Sequence, residues 1–424
     1  MDIGVVAGRR DRMLSTAVLT LLLIVLLFEA AILAPSYPDT ALNGDFISFW
    51  TGASLLREGV GPMLFDMDTQ AAYQIAFRRD HAVLGVTRNA TIHNPYHTPP
   101  PLALLLVPLT YLPFSVAFLI WTALSLLGFV LAVALPLRGR ALALTPAALM
   151  LSFIPLDYSI LSGQVNVIFV LPFSLSLMAF ASGRPFLGGL VLGMLWLKPQ
   201  YAVIFPVIFL LKHRWQELAG MVVAGGVVAL LSVATIGISG IVTYLEVLRR
   251  IGAFYPPEAS CINAWDMVNW RALLTNLWPG IPDATGSVLT MALGATTILA
   301  SLLAWRGPWE PDSSRFPRQM LVATLATLVA SPHSHFAGMV LMLAPVALGL
   351  ANPPSDLSAR RQWHRILWAG YIASLLAWPL APSLLPVQST KWLLGPGLLV
   401  VATILVAKMW TKPVFESHAP QPTK

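Results

Sequence analysis

Continuous apolar runs of about 20 residues recur between Leu14 and Met409. A run of that length matches a helix crossing the hydrocarbon core of a bilayer. The runs are unbroken rather than alternating, so they predict helices and not barrel strands. The first run, 13–34, has no small-residue cleavage site and ends at Pro35-Ser36-Tyr37-Pro38. It reads as a retained span, not a cleaved signal. A long polar segment, 35–101, follows as a first external loop. Within it, 46–56 and 68–79 place aromatic and apolar residues at helical spacing, which predicts interfacial helices. The run 102–112 is too short to cross and reads as a partly embedded lead-in. Single spans are predicted at 114–135, 141–161, 164–181, 217–238, 287–304, 366–385 and 392–410.

Two runs have another form. The stretch 186–211 is broken at Lys198-Pro199-Gln200, and 320–350 at Ser331-Pro332-His333-Ser334-His335. Each is too short for two full spans and predicts two short helices meeting at a break. Such breaks at membrane depth are tolerated where they line a cavity. A second external loop is expected over 239–283. The prediction is an all-α polytopic membrane protein of about twelve helices, forming a single domain over 1–424. Arg9, Arg10 and Arg12, then Arg138 and Arg140, Arg184, 306–318, and Arg360, Arg361 and Arg365 mark the cytoplasmic side. Both termini then lie in the cytoplasm. No convincing internal repeat is visible.

Composition agrees. Charged residues make up 11% and mean hydropathy is +0.73, against roughly 25% charged residues in soluble domains. The net charge of +7 follows from the cytoplasmic placement of cations and does not point to nucleic acid. The one cysteine, Cys261, excludes an internal disulfide framework and a cysteine-rich metal site.

Polar groups at membrane depth are costly and mark function by default. Lys198, at the first break, suits a phosphate or another anion; the alternatives are a snorkelling lysine or a partner for Asp157 or Glu29. His333 and His335, at the second break, suit a phosphate, a sugar hydroxyl or a proton relay, or else cap helix ends. Gln164, Asn166 and Gln200 offer amides to a sugar or between helices. Asp45 opens the polar loop and either takes a proton from a hydroxyl nucleophile or N-caps the helix beginning at Phe46. In the proline-rich re-entry 94–101, Tyr96 shapes the loop, while His93 and His97 are candidates to touch ligand. Asp266, Trp270 and Arg271 either cover a substrate or sit in a solvated loop. No Walker loop, dinucleotide fingerprint or HExxH motif occurs. No third ligand stands at metal spacing beside the histidines, and no acidic cluster is built for a cation, so no metal or cofactor is expected. There is no room for a soluble nucleotide-sugar-binding domain, so the substrate of any chemistry must be membrane-borne.

Several motifs occur in order: Gly44-Asp45-Phe46; Tyr96 with Pro99-Pro100 and Pro108-Leu109; Gly163-Gln164-Val165-Asn166; Gly188-Gly189-Leu190; Lys198-Pro199-Gln200; Lys212-His213-Arg214-Trp215; and Ser331-Pro332-His333. The ordered set, over about 45–350, resembles glycosyltransferase family 87, the bacterial polyprenyl-phosphate-mannose-dependent α-mannosyltransferases and related arabinofuranosyltransferases. The resemblance implies a GT-C fold with interfacial helices in the first external loop and a cavity open to the outer leaflet. It implies inverting transfer of a sugar, mannose by default, from a polyprenyl-phosphate donor to a hydroxyl of a glycolipid or lipid-linked glycan. The reaction would occur at the periplasmic face of the bacterial cytoplasmic membrane. By position, Asp45 would be the general base, Lys198 the lysine of the broken helix, and His333 or His335 the histidine near the cavity. A transporter or flippase of a lipid-linked sugar is the rival reading. Broken helices suit it equally, but the long loop with its early aspartate favours the enzyme.

Overall fold

A computed structural model describes residues 41–42, 44–80, 94–137, 149–255, 267–351, 361, 363, 365–366, 368–373 and 394–410. The predicted first span, Glu29, His93, Cys261 and Asp266 lie outside the described residues. All regular structure among the described residues is helical, apart from an isolated antiparallel bridge between Met267 and His335.

The segment predicted as a first external loop holds α1 (Phe46–Arg57) and α2 (Met67–Asp80), each within a residue of its predicted limits. Phe46 is fully buried, with ring centroids 5.4 Å from Phe114 and 5.0 Å from Phe118. Such aromatic pairs each contribute about 0.5–1.5 kcal/mol beyond their area burial. Gln70 and Gln74 fasten α2 to the proline-rich segment that begins at Asn94. The Gln74 amide donates to the Asn94 carbonyl at 2.6 Å and accepts from the Asn94 N–H at 2.9 Å. The lead-in is α3 (Pro100–Leu106), prolonged by a 3-10 turn over Val107–Tyr111, and α4 (Phe114–Ala134) follows.

The span expected at 141–161 is interrupted. Helix covers 149–151, Phe153 is extended (ψ 109°), and α5 (Ile154–Ser162) starts afresh with Pro155 in its first turn. Proline has no N–H to donate and fits the first turn of a helix, where that N–H would have no partner, which favours a restart here. Gly163 ends α5 in the left-handed region (φ 72°), where a Cβ would meet Phe46 Cβ at 2.5 Å. The chain therefore reverses tightly against α1 before α6 (Asn166–Ala181).

The first broken pair consists of α7 (Pro185–Leu192), 3-10 turns on both sides of Lys198, and α8 (Ile204–Leu211). Next comes α9 (Trp215–Gly252), which corrects a second expectation. The loop predicted to begin at 239 starts as helix, because α9 continues through a kink at Gly237 (φ 69°, ψ 177°). Past the kink, Gly240, Tyr244, Val247 and Ile251 are buried at helical spacing. Then follow α10 (Trp270–Leu277), α11 (Asp283–Ser301), α12 (Phe316–Ala330), a 3-10 stretch over Phe336–Met342, α13 (Leu343–Ala351) and α14 (Leu394–Trp410). Among the described residues, three stretches are long and apolar enough to cross a membrane: Phe114–Ala134, Trp215–Gly252 and Asp283–Trp305. At the end away from the site, Arg214 pairs with Glu217 at 2.7 Å and lies over the Trp309 ring.

Candidate active site

The tight turn at Gly163 brings the N-terminus of α6 against the start of α1. The Asp45 N–H donates to the Ser162 carbonyl at 2.7 Å. Asp45 occupies the N-cap position of α1, yet its carboxylate makes no capping bond. Instead the carboxylate is turned toward Gln164, Asn94 and Ser162. The Asn94 amide donates to the Gly44 carbonyl at 2.9 Å and reaches Asp45 Oδ1 at 3.5 Å. Burial pushes the Asp45 carboxyl above the ordinary aspartate range, while the Lys198 ammonium and the neighbouring hydrogen-bonding groups oppose that shift.

Lys198 is buried at the first break, 7% exposed. Its Nζ donates to Asn166 Oδ1 at 2.8 Å and to Gln164 Oε1 at 3.4 Å. Among the described residues no ion pair reaches it, although Asp45 is close enough to act on it electrostatically. Because Lys198 only donates, the oxygen of the Asn166 amide must face it, so Nδ2 points elsewhere. That Nδ2 is buried without a hydrogen-bond acceptor among the described residues. A cation and an unmatched amide N–H therefore stand side by side, next to a carboxylate.

Beyond Lys198 the two other breaks meet. The His97 ring lies edge-on to His333 with centroids 4.9 Å apart, and His335 packs on His333 at 4.8 Å. His97 Nδ1 lies 3.0 Å from the Pro95 carbonyl. A carbonyl only accepts, so Nδ1 carries the proton and Nε2 is left as an acceptor. Burial first, and Lys198 second, lower the His97 pKa to about 4, so this imidazole is neutral near pH 7. His333 Nδ1 is buried with no hydrogen-bond partner among the described residues. A cavity of about 160 Å³ opens between these breaks and the second half of α9, lined among others by His97, Thr98, Gln200, Tyr244, Leu248 and His333.

The structure thus brings together Asp45, Gln164, Asn166 and Lys198, and next to them His97, Gln200, His333 and His335. Two other predicted site residues hold the framework. The Tyr96 hydroxyl donates to the Pro99 carbonyl at 2.7 Å and accepts from the Ala103 N–H at 3.0 Å. Its backbone N–H and carbonyl are both matched by Gln70, at 2.7 and 3.1 Å. Arg271 is buried, and its Nη1 donates to the Ile251 and Ala253 carbonyls at 2.9 and 3.0 Å, closing the C-terminus of α9. Sequence reasoning missed Asn94 and Ser162 beside the carboxylate, and Tyr244 in the cavity wall. Tyr244 belongs to a regular helical pattern, but that pattern runs through a stretch read as loop.

The chain matches the sequence profile described as Glycosyltransferase family 87 over residues 96–332, more than half its length. Asp45 lies before that stretch and His333 directly after it. Two relatives are each named polyprenol-phosphate-mannose-dependent alpha-(1-2)-phosphatidylinositol pentamannoside mannosyltransferase. The protein of Mycolicibacterium smegmatis is 29% identical over 342 residues, covering 74% of this chain and 76% of that protein. The protein of Mycobacterium tuberculosis is 26% identical over 339 residues, covering 74% of this chain and 73% of that protein. No solved structure matches. With its all-helical apolar body, its breaks gathered at one polar site and a profile match across more than half its length, the chain belongs to glycosyltransferase family 87.

Proposed function

We propose that this glycosyltransferase moves mannose from a polyprenyl-phosphate donor to a hydroxyl of a glycolipid or lipid-linked glycan, with inversion at the anomeric carbon. The observation that carries the reading is the buried Lys198 ammonium with the unmatched Asn166 N–H beside it, adjacent to the Asp45 carboxylate. A phosphate fits such a pair, because it brings only acceptor oxygens and a negative charge. The relatives' names agree in donor and in acceptor class.

In this mechanism the acceptor oxygen attacks the anomeric carbon as its proton passes to Asp45. The bond from that carbon to the phosphate oxygen breaks, and its electron pair leaves with the polyprenyl phosphate. Lys198, with His333 or His335 near it, stabilises the charge that grows on the leaving group. A single base opposite the leaving group permits in-line displacement, as in inverting glycosidases with water replaced by a sugar hydroxyl. Gln164, Asn166 and Gln200 hold the donor, and the loop segment of His93 and His97 faces the acceptor. The fold we assign is GT-C, one domain of about twelve crossings, with external loops at 35–101 and 239–283. Both termini lie in the cytoplasm of a bacterium, and the site lies at the periplasmic face of the inner membrane.

The test is turnover of radiolabelled polyprenyl-phosphate sugars by purified protein in lipid, with a membrane-lipid extract as acceptor. Mannose transfer is expected, and Asp45→Asn is expected to lower it by about 10²–10⁴-fold, the usual span for a general base. Full activity in Asp45→Asn, or donor left unconsumed by the unaltered protein, would sink the proposal.

A further inference from the structure

The helix α2 buries a polar face. Its buried residues are Gln70, Gln74 and Arg78, at 0%, 0% and 2% exposure. Their i, i+4, i+8 spacing puts them on one side of the helix. An inward face is ordinarily apolar, and buried polar groups are costly unless matched. Here each of the three holds backbone. Gln70 matches the N–H and carbonyl of Tyr96, and Gln74 matches those of Asn94. Arg78 Nε donates to the Leu42 carbonyl at 3.1 Å. Leu42 lies three residues before Asp45, and Asn94 and Tyr96 lead into His97. The helix α2 therefore grips the two segments that bring Asp45 and His97 to the site.

Asn94 is held by both its backbone and its side chain. Gln74 fixes its N–H and carbonyl, and the next carbonyl, of Pro95, accepts from Ser48 Oγ at 3.0 Å, which ties the segment to α1. Asn94 Nδ2 donates to the Gly44 carbonyl at 2.9 Å. A carbonyl only accepts, so this bond settles which way the amide faces. The second hydrogen of Nδ2 is left for Asp45 Oδ1, 3.5 Å away. That contact is long, as catalytic hydrogen bonds often are before a substrate tightens them. Gln164 also lies beside the carboxylate, but its oxygen faces Lys198, whereas Asn94 is set by α2. Asp45, α2 and Asn94 all precede residues 96–332, the stretch that carries the family profile.

We infer that Asn94 is the positioning residue for the Asp45 carboxylate, and that α2 sets its place through Gln74. The inference rests on the reading of Asp45 as the base. In this role neither amide touches substrate; the Asn94 N–H holds the carboxylate in place and favours its ionised form. Lys198 is the charged group that acts on Asp45 among the described residues, and it lowers the Asp45 pKa together with hydrogen bonds from Gln164, Asn94 and Ser162, against the effect of burial. Loss of the Asn94 amide thus raises that pKa, and the acid limb of the rate moves to higher pH.

Asn94→Ala removes the amide but keeps both backbone bonds to Gln74. Gln74→Met removes those bonds at similar side-chain shape. Each variant, and the two combined, is measured by steady-state transfer from polyprenyl-phosphate mannose in lipid across pH, with Tm as the folding control. Gln70→Leu is the comparison, because it strands the Tyr96 backbone in the same way but away from Asp45. Asn94→Ala and Gln74→Met are each expected to lower kcat about tenfold to a hundredfold, with the donor KM little changed and the acid limb at higher pH. Gln70→Leu is expected to lower Tm with the acid limb in place. In the double variant kcat is expected to be no lower than in Asn94→Ala, although Tm falls further. An unmoved kcat and acid limb in folded Asn94→Ala, beside an inactive Asp45→Asn, would overturn the positioning role and leave Asp45 as the base. Losses of kcat that multiply in the double variant would overturn the route through Gln74. Where Gln74→Met does not fold, Asn94→Ala decides alone. Full activity in Asp45→Asn would bring down the base and the positioning role together.

Discussion

At the scale of single residues, the proposed chemistry turns on how Asp45 is employed. Position alone left capping and base catalysis open, because aspartate is favoured at an N-cap. The structure puts the residue at the cap and turns its carboxylate away from the helix. A pH profile tests its role. Burial raises the Asp45 pKa and Lys198 lowers it, and a base works only when ionised. Transfer is therefore expected to fall as pH drops through a value above the ordinary aspartate pKa of about 3.9. Lys198→Met removes the cation that favours the ionised form, so the acid limb is expected to move to higher pH as donor binding weakens. An acid limb that stays in place would show that the two groups do not share a site. Lys198 itself was legible because a lysine in an apolar run beside a proline has few quiet explanations. Arg271 and Tyr96 were legible only as polar residues in loops, since their backbone partners depend on how distant segments pack.

At the scale of elements, the helices α1 and α2 and both broken pairs could be read from periodicity and proline placement. Two boundaries could not. The restart at Ile154 is marked by Pro155, but it lies inside a run, 141–161, of the length of a single span. The second half of α9 was hidden because Gly237, Ser239 and Gly240 look like loop residues, although the buried positions after the kink keep helical spacing. Gln70 tests how the loop is fastened. Gln70→Leu would strand the buried Tyr96 N–H and carbonyl that the amide now matches. A loss of about 1–3 kcal/mol is expected, read as a lower Tm in detergent. Phe46→Ala, at the centre of the aromatic packing under α1, is expected to cost about 3–5 kcal/mol.

At the scale of the whole molecule, the site is an assembly of chain reversals: the start of α1, the turn at Gly163, and the breaks at Lys198 and His333. Each was visible alone, but no local pattern states which reversals meet. Whether these reversals share one side of the membrane is open to a direct test in a Cys261→Ser background. Leu277→Cys, on an exposed position of α10, is expected to react with an impermeant maleimide in intact cells. Asp312→Cys, in the basic stretch before α12, is expected to react only after permeabilisation. The reverse pattern would invert the assigned orientation. The kink in α9 carries a further consequence. The helix before Gly237 is about 33 Å long at 1.5 Å per residue, close to the roughly 30 Å hydrocarbon core, so in the assigned orientation the half after the kink would lie at the edge of the lipid. A sugar bound there would remain tethered to a tail dissolved in the bilayer. Turnover should then obey surface dilution: added inert lipid or detergent lowers the rate at constant bulk donor concentration, and the rate follows the donor's mole fraction in the membrane phase.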